Sequence, residues 1–333
     1  MDNVNETFIN QEHFPLVFKP AESHSSKKEL LNFVKTQNEY LKKILLKYGA
    51  VLFRGFDLKD AGDFEDLIKE FNAGKFIDYI GGDSPRTKVH GSVYTSTEAP
   101  PSLKIPLHNE LSFVKKYPSH IYFFCEIEPQ EAGQTIIADC RKIFNAIDPK
   151  IRNNFNKKGL RYISRYFYKD SFVSKLSKGS HKSWVTVFET HDKNEVERIC
   201  KENDFYFKWQ KKDWIEISQI RPATILHPKT SEHVWFNQAH LYHFNARFLG
   251  FKRFVGAKIF YARRYTKLHD IYYADGSKIA KKDLYSVMDV LDKHTVSFPW
   301  QKGDALILDN VLAMHGRNPF EGKRRILTAM TGL

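Results

Sequence analysis

Residues 105–139 read IPLHNELSFVKKYPSHIYFFCEIEPQEAGQTIIAD. Two apolar, partly aromatic runs in this stretch, Ser119 to Glu126 and Thr135 to Ala138, have the length and composition of β-strands. Further runs of the same kind are Ala50-Val51-Leu52-Phe53, closed by Arg54-Gly55, then Ser183 to Phe188, Val234 to Phe236 and Phe254 to Tyr261. Thr295 to Phe298, Ala305 to Leu308 and Arg325 to Met330 complete the set. Helices are fewer. Lys27 to Lys47 places Leu30, Leu31, Val34, Tyr40, Leu41, Ile44 and Leu45 near helical spacing, and Gly49 stops it. Asp60 to Ala73, Arg141 to Ile147 and Asn194 to Glu202 are the others, and Gly81 to Thr97 reads as loop. Many short strands with a few helices predict a mainly β fold with helical decoration, a sandwich or jelly roll. No composition break divides the chain. The expectation is a single domain over 1–333, with 1–25 an irregular lead-in and 150–225, mixed and highly charged, an insertion.

The composition excludes several classes. Of 333 residues, 42% are hydrophobic and 27% charged, the balance of a globular chain and not a disordered one. The formal charge of +13 comes from lysines scattered in short pairs, with no run of five or six basic residues. It therefore reads as a solvated surface, and neither nucleic acid nor membrane is expected as a partner. Three cysteines, Cys125, Cys140 and Cys200, form no disulfide framework and no zinc spacing. The polar start has no signal-peptide core and no stretch is apolar enough for a membrane helix, so the expected location is cytoplasmic.

Fourteen histidines are present, and one, in His108-Asn109-Glu110, has a carboxylate two residues on. On an extended strand, positions i and i+2 share a face, so one imidazole and one carboxylate can reach one metal ion. A third ligand must come from elsewhere. Two imidazoles and one carboxylate on one face of an octahedral ion make the ferrous facial triad. H-x-E alone is a weak signal, for which a polar strand face is the plain alternative. A second candidate segment runs from Gly303 through the apolar Ala305 to Leu308 into Asp309-Asn310, with His315 following in Met314-His315-Gly316-Arg317. Arg325 comes ten residues after His315. A guanidinium there is suited to a carboxylate, and a surface Arg324-Arg325 pair is the bland reading.

Together, His108-x-Glu110, Gly133-Gln134-Thr135, and His315 with Arg325 ten positions on resemble the iron(II)- and 2-oxoglutarate-dependent dioxygenases of the TauD/TfdA superfamily, in its clavaminate synthase-like and SyrP-like branch. The likeness covers roughly residues 48–333 and is weakest in the middle. It implies a double-stranded β-helix (jelly-roll) core. It implies Fe(II) on His108, Glu110 and His315, with 2-oxoglutarate and O2 as cosubstrates. Arg325 would meet the distal carboxylate of 2-oxoglutarate, helped by Thr135. Arg324 is the competing choice, and Arg325 is preferred because it directly precedes Ile326-Leu327. Asn109 should point to the opposite face. The implied activity is hydroxylation of an unactivated C–H bond of an amino acid or derivative, free or tethered to a carrier protein. Glu110 speaks for oxidation, since halogenating relatives lose this carboxylate. Desaturation or cyclisation in natural-product biosynthesis, and a non-catalytic metal-binding or regulatory protein on the same jelly roll, are the alternatives. By analogy Arg86, Tyr94, Asn237 and Gln238 are candidates to bind substrate, or else they order loops around the core. Arg317 is a further candidate for substrate binding or for a supporting role. Ala329 stands where sulfonate-oxidising relatives carry a second Arg, which argues against taurine.

Overall fold

The structure of the chain, a computed structural model, describes residues 3–11, 13–22, 25–77, 86–168, 182–211, 213–260 and 267–332. Two facing sheets form its centre. The larger has nine strands. Eight follow one another in space: Val4–Phe8, Leu16–Pro20, Ala50–Phe53, Ala305–Asp309, His120–Ile127, Arg325–Gly332, Val93–Thr95 and Lys88–His90. The ninth, Lys75–Phe76, also pairs with Arg325–Gly332. The smaller sheet runs Val296–Phe298, Thr135–Asp139, Ala313–Arg317, Ile105–His108. This is the expected jelly-roll core, its sheets left open at the edges.

Alternation along the strands decides what each face covers. In His120–Ile127, the side chains of Ile121, Phe123 and Cys125 pack between the two sheets. Those of Tyr122 and Phe124 pack the other way, under the helices Lys27–Thr36, Asn38–Tyr48 and Ala61–Phe71. Leu306 and Leu308 likewise face the smaller sheet, while Ala305 and Ile307 face the helices. Both faces are covered, which is why these strands read as unbroken apolar runs. In the smaller sheet, Ile137 and Ala313 face inward, and Ile136, Ala138 and Met314 face a third layer around Trp235, Phe236 and Leu284. A separate four-stranded sheet, Tyr206–Gln210, Trp214–Arg221, Leu160–Tyr166 and His269–Tyr273, stands beside this core.

Several elements differ from expectation. The stretch taken as an irregular lead-in contains two strands, because Leu16, Val17 and Phe18 are buried beside Ala50–Phe53. The single N-terminal helix is two, broken at Gln37. Gly49 ends the second in the left-handed region (φ 76°), with Leu312 against it. Within Gly81 to Thr97, the residues from 86 on include paired strands rather than loop alone, and 81–85 lie outside the described residues. Ser183 to Phe188 is a short helix, Trp184–Phe188, with Ser183 accepting a hydrogen bond from the Thr186 N–H. Phe254 to Tyr261 belongs to the helix Phe251–Phe260, with Tyr261 outside the described residues. Its β-branched and aromatic content suggested a strand, but Phe251, Val255 and Ile259 recur every four residues, a helical period. Lys281–Lys293 is a helix whose buried Leu284, Val287, Met288 and Leu291 carry the same signal, unread in the sequence. Among the described residues no helix is long and apolar enough to cross a membrane.

Phe124 is fully buried and stacks on Phe64 at 5.4 Å between ring centroids. Phe124→Ala is expected to lower the unfolding free energy by about 3–5 kcal/mol, the cost of a large cavity in a closed core. Urea denaturation measures this, and a loss below the range of a surface substitution would contradict the packing described.

Candidate active site

Pairing register brings the first two candidate ligands together. Ile105–His108 lies antiparallel to Ala313–Arg317, with His108 directly opposite His315, and opposed residues share a face. Their ring centroids are 4.4 Å apart. Gly316 permits this approach, since a Cβ on it would lie 2.5 Å from the Ile105 carbonyl oxygen. Glu110 follows as the strand ends and places Oε2 3.6 Å from His315 Nε2. One donor atom from each of His108, Glu110 and His315 lies within 4.8 Å of the others, and among the described residues no other group of His, Cys, Asp and Glu converges this way.

The donor set suits a ferrous ion. His108 Nδ1 is 2.9 Å from the Pro106 carbonyl oxygen, which can only accept, so the N–H is on Nδ1 and the Nε2 lone pair is free. Burial, reinforced by His315, pushes the His108 pKa down to about 3, which keeps that lone pair available at neutral pH. Burial alone would raise the Glu110 carboxyl. The Arg86 guanidinium, 2.8 Å away, outweighs it together with His315 and His108 and holds the group well below the usual carboxylate range. The site therefore offers two imidazoles and one carboxylate, the set a divalent iron takes.

Buried amides fix the main chain that carries these ligands. Asn310 accepts the Glu110 N–H at 2.7 Å and donates to the Glu110 carbonyl at 3.0 Å and the Pro118 carbonyl at 2.8 Å. Asn109 points away from the site, as expected, and donates to the Asn310 carbonyl at 2.6 Å. Gln238 donates to the Asn109 carbonyl at 2.7 Å, and His240 Nε2 lies 2.8 Å from the Leu107 carbonyl. Leu111, just after Glu110, adopts φ 53°, a left-handed conformation that a bulky side chain holds only when its surroundings impose it. The sequence marked Asp309-Asn310 as a polar tip after an apolar strand, but not as the clamp on Glu110.

Beside the ligands lies a pocket between the sheets. Thr135 and Arg317 are paired neighbours on its floor, Phe123 and Ile326 come from the larger sheet, and Arg324 directly precedes the strand Arg325–Gly332. Trp300 donates to the Thr135 hydroxyl at 2.9 Å. Arg325 is not in this pocket. It is half exposed, with Nε 2.9 Å from Glu126, and it shares a strand face with Leu327 and Ala329 under the helices. Arg324 precedes Ile326 by two and faces inward with it. Burial, reinforced by Arg317, lowers the Arg324 pKa to about 10. Of the two arginines it is thus Arg324 that lines the pocket, because the strand period and not the adjacency to Ile326-Leu327 sets which one faces the interior.

The remaining candidates divide. Arg86 lines the pocket. Arg317 lines it too, but its Nη atoms donate to the carbonyls of Ala99 at 3.2 Å, Pro100 at 2.7 Å and Leu103 at 2.9 Å, bracing the turn before the ligand strand. Tyr94 is not among the lining residues; Ser96 and Thr97 are. Asn237 holds Ala223 and Ala239 main-chain groups, and Gln238 holds that of Asn109. Both are anchors of buried backbone.

Comparison with known proteins agrees with this architecture. Residues 14–331 match the taurine catabolism dioxygenase TauD, TfdA family. A clavaminate synthase-like protein of Arabidopsis thaliana is 31% identical over 301 residues, 89% of this chain and 86% of the relative. The dapdiamide synthesis protein DdaC of Enterobacter agglomerans is 33% identical over 287 residues, 86% and 83% of the two chains. Among solved structures, PvcB of Pseudomonas aeruginosa superposes with a TM-score of 0.56 at 14% identity, covering 99% of this chain and 91% of that one. AAD-2 in complex with Mn(II) and N-oxalylglycine gives 0.56 at 11% identity, covering 98% and 96%. At such identities the two structures speak for the fold. The chain is a 2-oxoglutarate-dependent non-haem iron dioxygenase, working with Fe(II), 2-oxoglutarate and O2. It belongs to the TauD/TfdA family.

Asn310→Ala removes the amide clamp and leaves Glu110 main-chain groups unpaired in the interior. Metal binding is expected to weaken roughly ten- to a hundredfold, the usual effect of losing a group that orients a ligand. Anaerobic Fe(II) titration reads this directly, and an unchanged affinity would remove Asn310 from the positioning of Glu110.

Proposed function

We propose that the chain hydroxylates an unactivated C–H bond of an amino acid or amino-acid derivative, free or carrier-bound. The observation that carries this reading is the convergence of His108, Glu110 and His315 beside a pocket lined by three arginines, Arg86, Arg317 and Arg324. In this reading the three side chains hold Fe(II), which when bound supplies the redox chemistry for O2. Arg324 takes the distal carboxylate of 2-oxoglutarate, because its guanidinium and that of Arg317, which lies close enough to lower the Arg324 pKa, favour an anion between them. The Thr135 hydroxyl adds a further contact. The overall reaction is R–H + 2-oxoglutarate + O2 → R–OH + succinate + CO2. One oxygen atom enters the product and the other enters succinate.

The chain's own residues then have distinct tasks. Pro106 holds the His108 tautomer, Arg86 orients the Glu110 carboxylate, and Arg317 braces the 99–103 turn. Phe123 and Ile326 line the pocket with apolar surface that excludes water. Glu110 favours hydroxylation over halide insertion, since a carboxylate fills the position a halide would need. The likeness to a protein of dapdiamide synthesis supports a role in natural-product biosynthesis.

Anaerobic titration of the apoprotein with Fe(II) and 2-oxoglutarate should develop the visible charge-transfer band of the chelate, absent in His108→Ala and His315→Ala. Arg324→Ala should weaken 2-oxoglutarate binding about tenfold or more, as expected for a lost charge-assisted hydrogen bond. Arg325→Ala should leave it unchanged. A larger effect at Arg325 would return the cosubstrate role to that residue, and the absence of any band in the wild-type chain would sink the reading as a whole.

A further inference from the structure

A second cavity, of about 440 Å³, lies between the ligand-bearing segment and the four-stranded sheet beside the core. That volume is within the range of small-molecule sites. One wall is a single face of the side sheet. Leu160–Tyr166 and Trp214–Arg221 pair with Tyr162 opposite Gln219 and Ser164 opposite Ile217, and all four line the cavity. The facing wall is Leu111 and Phe113, which directly follow Glu110. The left-handed conformation at Leu111 lies at the junction of the two regions.

Three observations define what this cavity takes. The lining is mostly apolar and aromatic, so burial of a large apolar body is favourable there. Among the described residues no acidic side chain lines the cavity, so a buried ammonium would have no counter-charge from them, a costly arrangement. Gln219 is nine-tenths buried, and its Oε1 has no hydrogen-bond partner among the described residues. An unpaired buried acceptor calls for a neutral N–H donor. Among the described lining residues the one charged group is the exposed Lys116.

We infer that the substrate is an N-acylated apolar amino acid, or a similar amide-linked molecule, and not a free amino acid. Its amide N–H donates to Gln219 Oε1, its apolar body fills the cavity, and its carboxylate meets Lys116 at the rim. This inference rests on the reading of the iron site above, because the oxidised carbon must reach Glu110 and its partners past Leu111.

The probe is N-octanoyl-L-leucine, compared with L-leucine and octanoate. Calorimetric titration into the apoprotein reads the cavity alone. Succinate release by the Fe(II)-loaded enzyme with 2-oxoglutarate and O2 reads productive placement. N-octanoyl-L-leucine should bind saturably and raise succinate release severalfold over the rate without substrate, while L-leucine and octanoate do neither. Ile217→Trp, which puts an indole into the cavity and narrows it, should weaken binding severalfold. Gln219→Leu, which keeps the volume and removes the amide, should weaken it severalfold. The charge-transfer band and the melting temperature are the controls for a folded iron site in both variants. Preference for L-leucine, no binding of the acylated probe, or undiminished binding in Ile217→Trp would each overturn the inference. Binding of the probe in a wild-type chain that forms no iron–2-oxoglutarate band would instead keep the cavity's specificity and discard the oxygenase reading of the triad.

Discussion

Residues opposed across an antiparallel pair emerge on the same face, and the whole site depends on one such opposition, His108 against His315. A slip of one residue would turn one imidazole into the opposite layer. The pairs with the strand on the other side, Thr135–Asp139, lock the register. Ile137 stands opposite His315 and Thr135 opposite Arg317, and the apolar members of these strands are committed to different cores on the two faces. Packing throughout the sandwich thus holds two nitrogen atoms in place at one end of it.

Around this pair, several buried polar side chains are spent on backbone. Asn109, Asn237, Gln238, Asn310 and Arg317 each hold main-chain carbonyls. Strands end where ligands and turns begin, and peptide groups there lose their ladder partners. Each one left unsatisfied would cost about 1–3 kcal/mol. Side-chain amides replace the missing strand. The same residues that make the site expensive to bury make it rigid, the condition for holding ligands before any ion is present.

The jelly roll and the convergence of His108, Glu110 and His315 were legible in the sequence because they rest on apolar runs, an i, i+2 pair and a resemblance that joins distant segments. Arg325 was preferred to Arg324 on its adjacency to an apolar pair, but it is Arg324 that lines the pocket. Such adjacency says nothing about which face a residue takes. The parity with Ile326 does, once the interior face is known. Asn237 and Gln238 have the chemistry of substrate contacts and also of backbone anchors, and only their partners, Ala223 and Asn109, tell these apart. Phe251–Phe260 was misread on composition although its period was helical, and Lys281–Lys293 showed its period but was not read. The cavity beside the side sheet had no signature, since its walls, Leu111 and Gln219 among them, come from segments far apart in the chain.

Arg325–Gly332 lies in the interior of the larger sheet, between His120–Ile127 and Val93–Thr95. Tyr122 and Thr328, joined across it, are 206 residues apart. While the chain is being made, the apolar His120–Ile127 strand therefore has an open hydrogen-bonding edge through the synthesis of some two hundred residues (minutes to seconds matter less here than order). Such an edge is a template for pairing with other chains, and contacts of this span form slowly because the loop must close first. The hazard for this enzyme lies before folding is complete: its yield in a cell depends on how well the nascent chain is shielded from its neighbours.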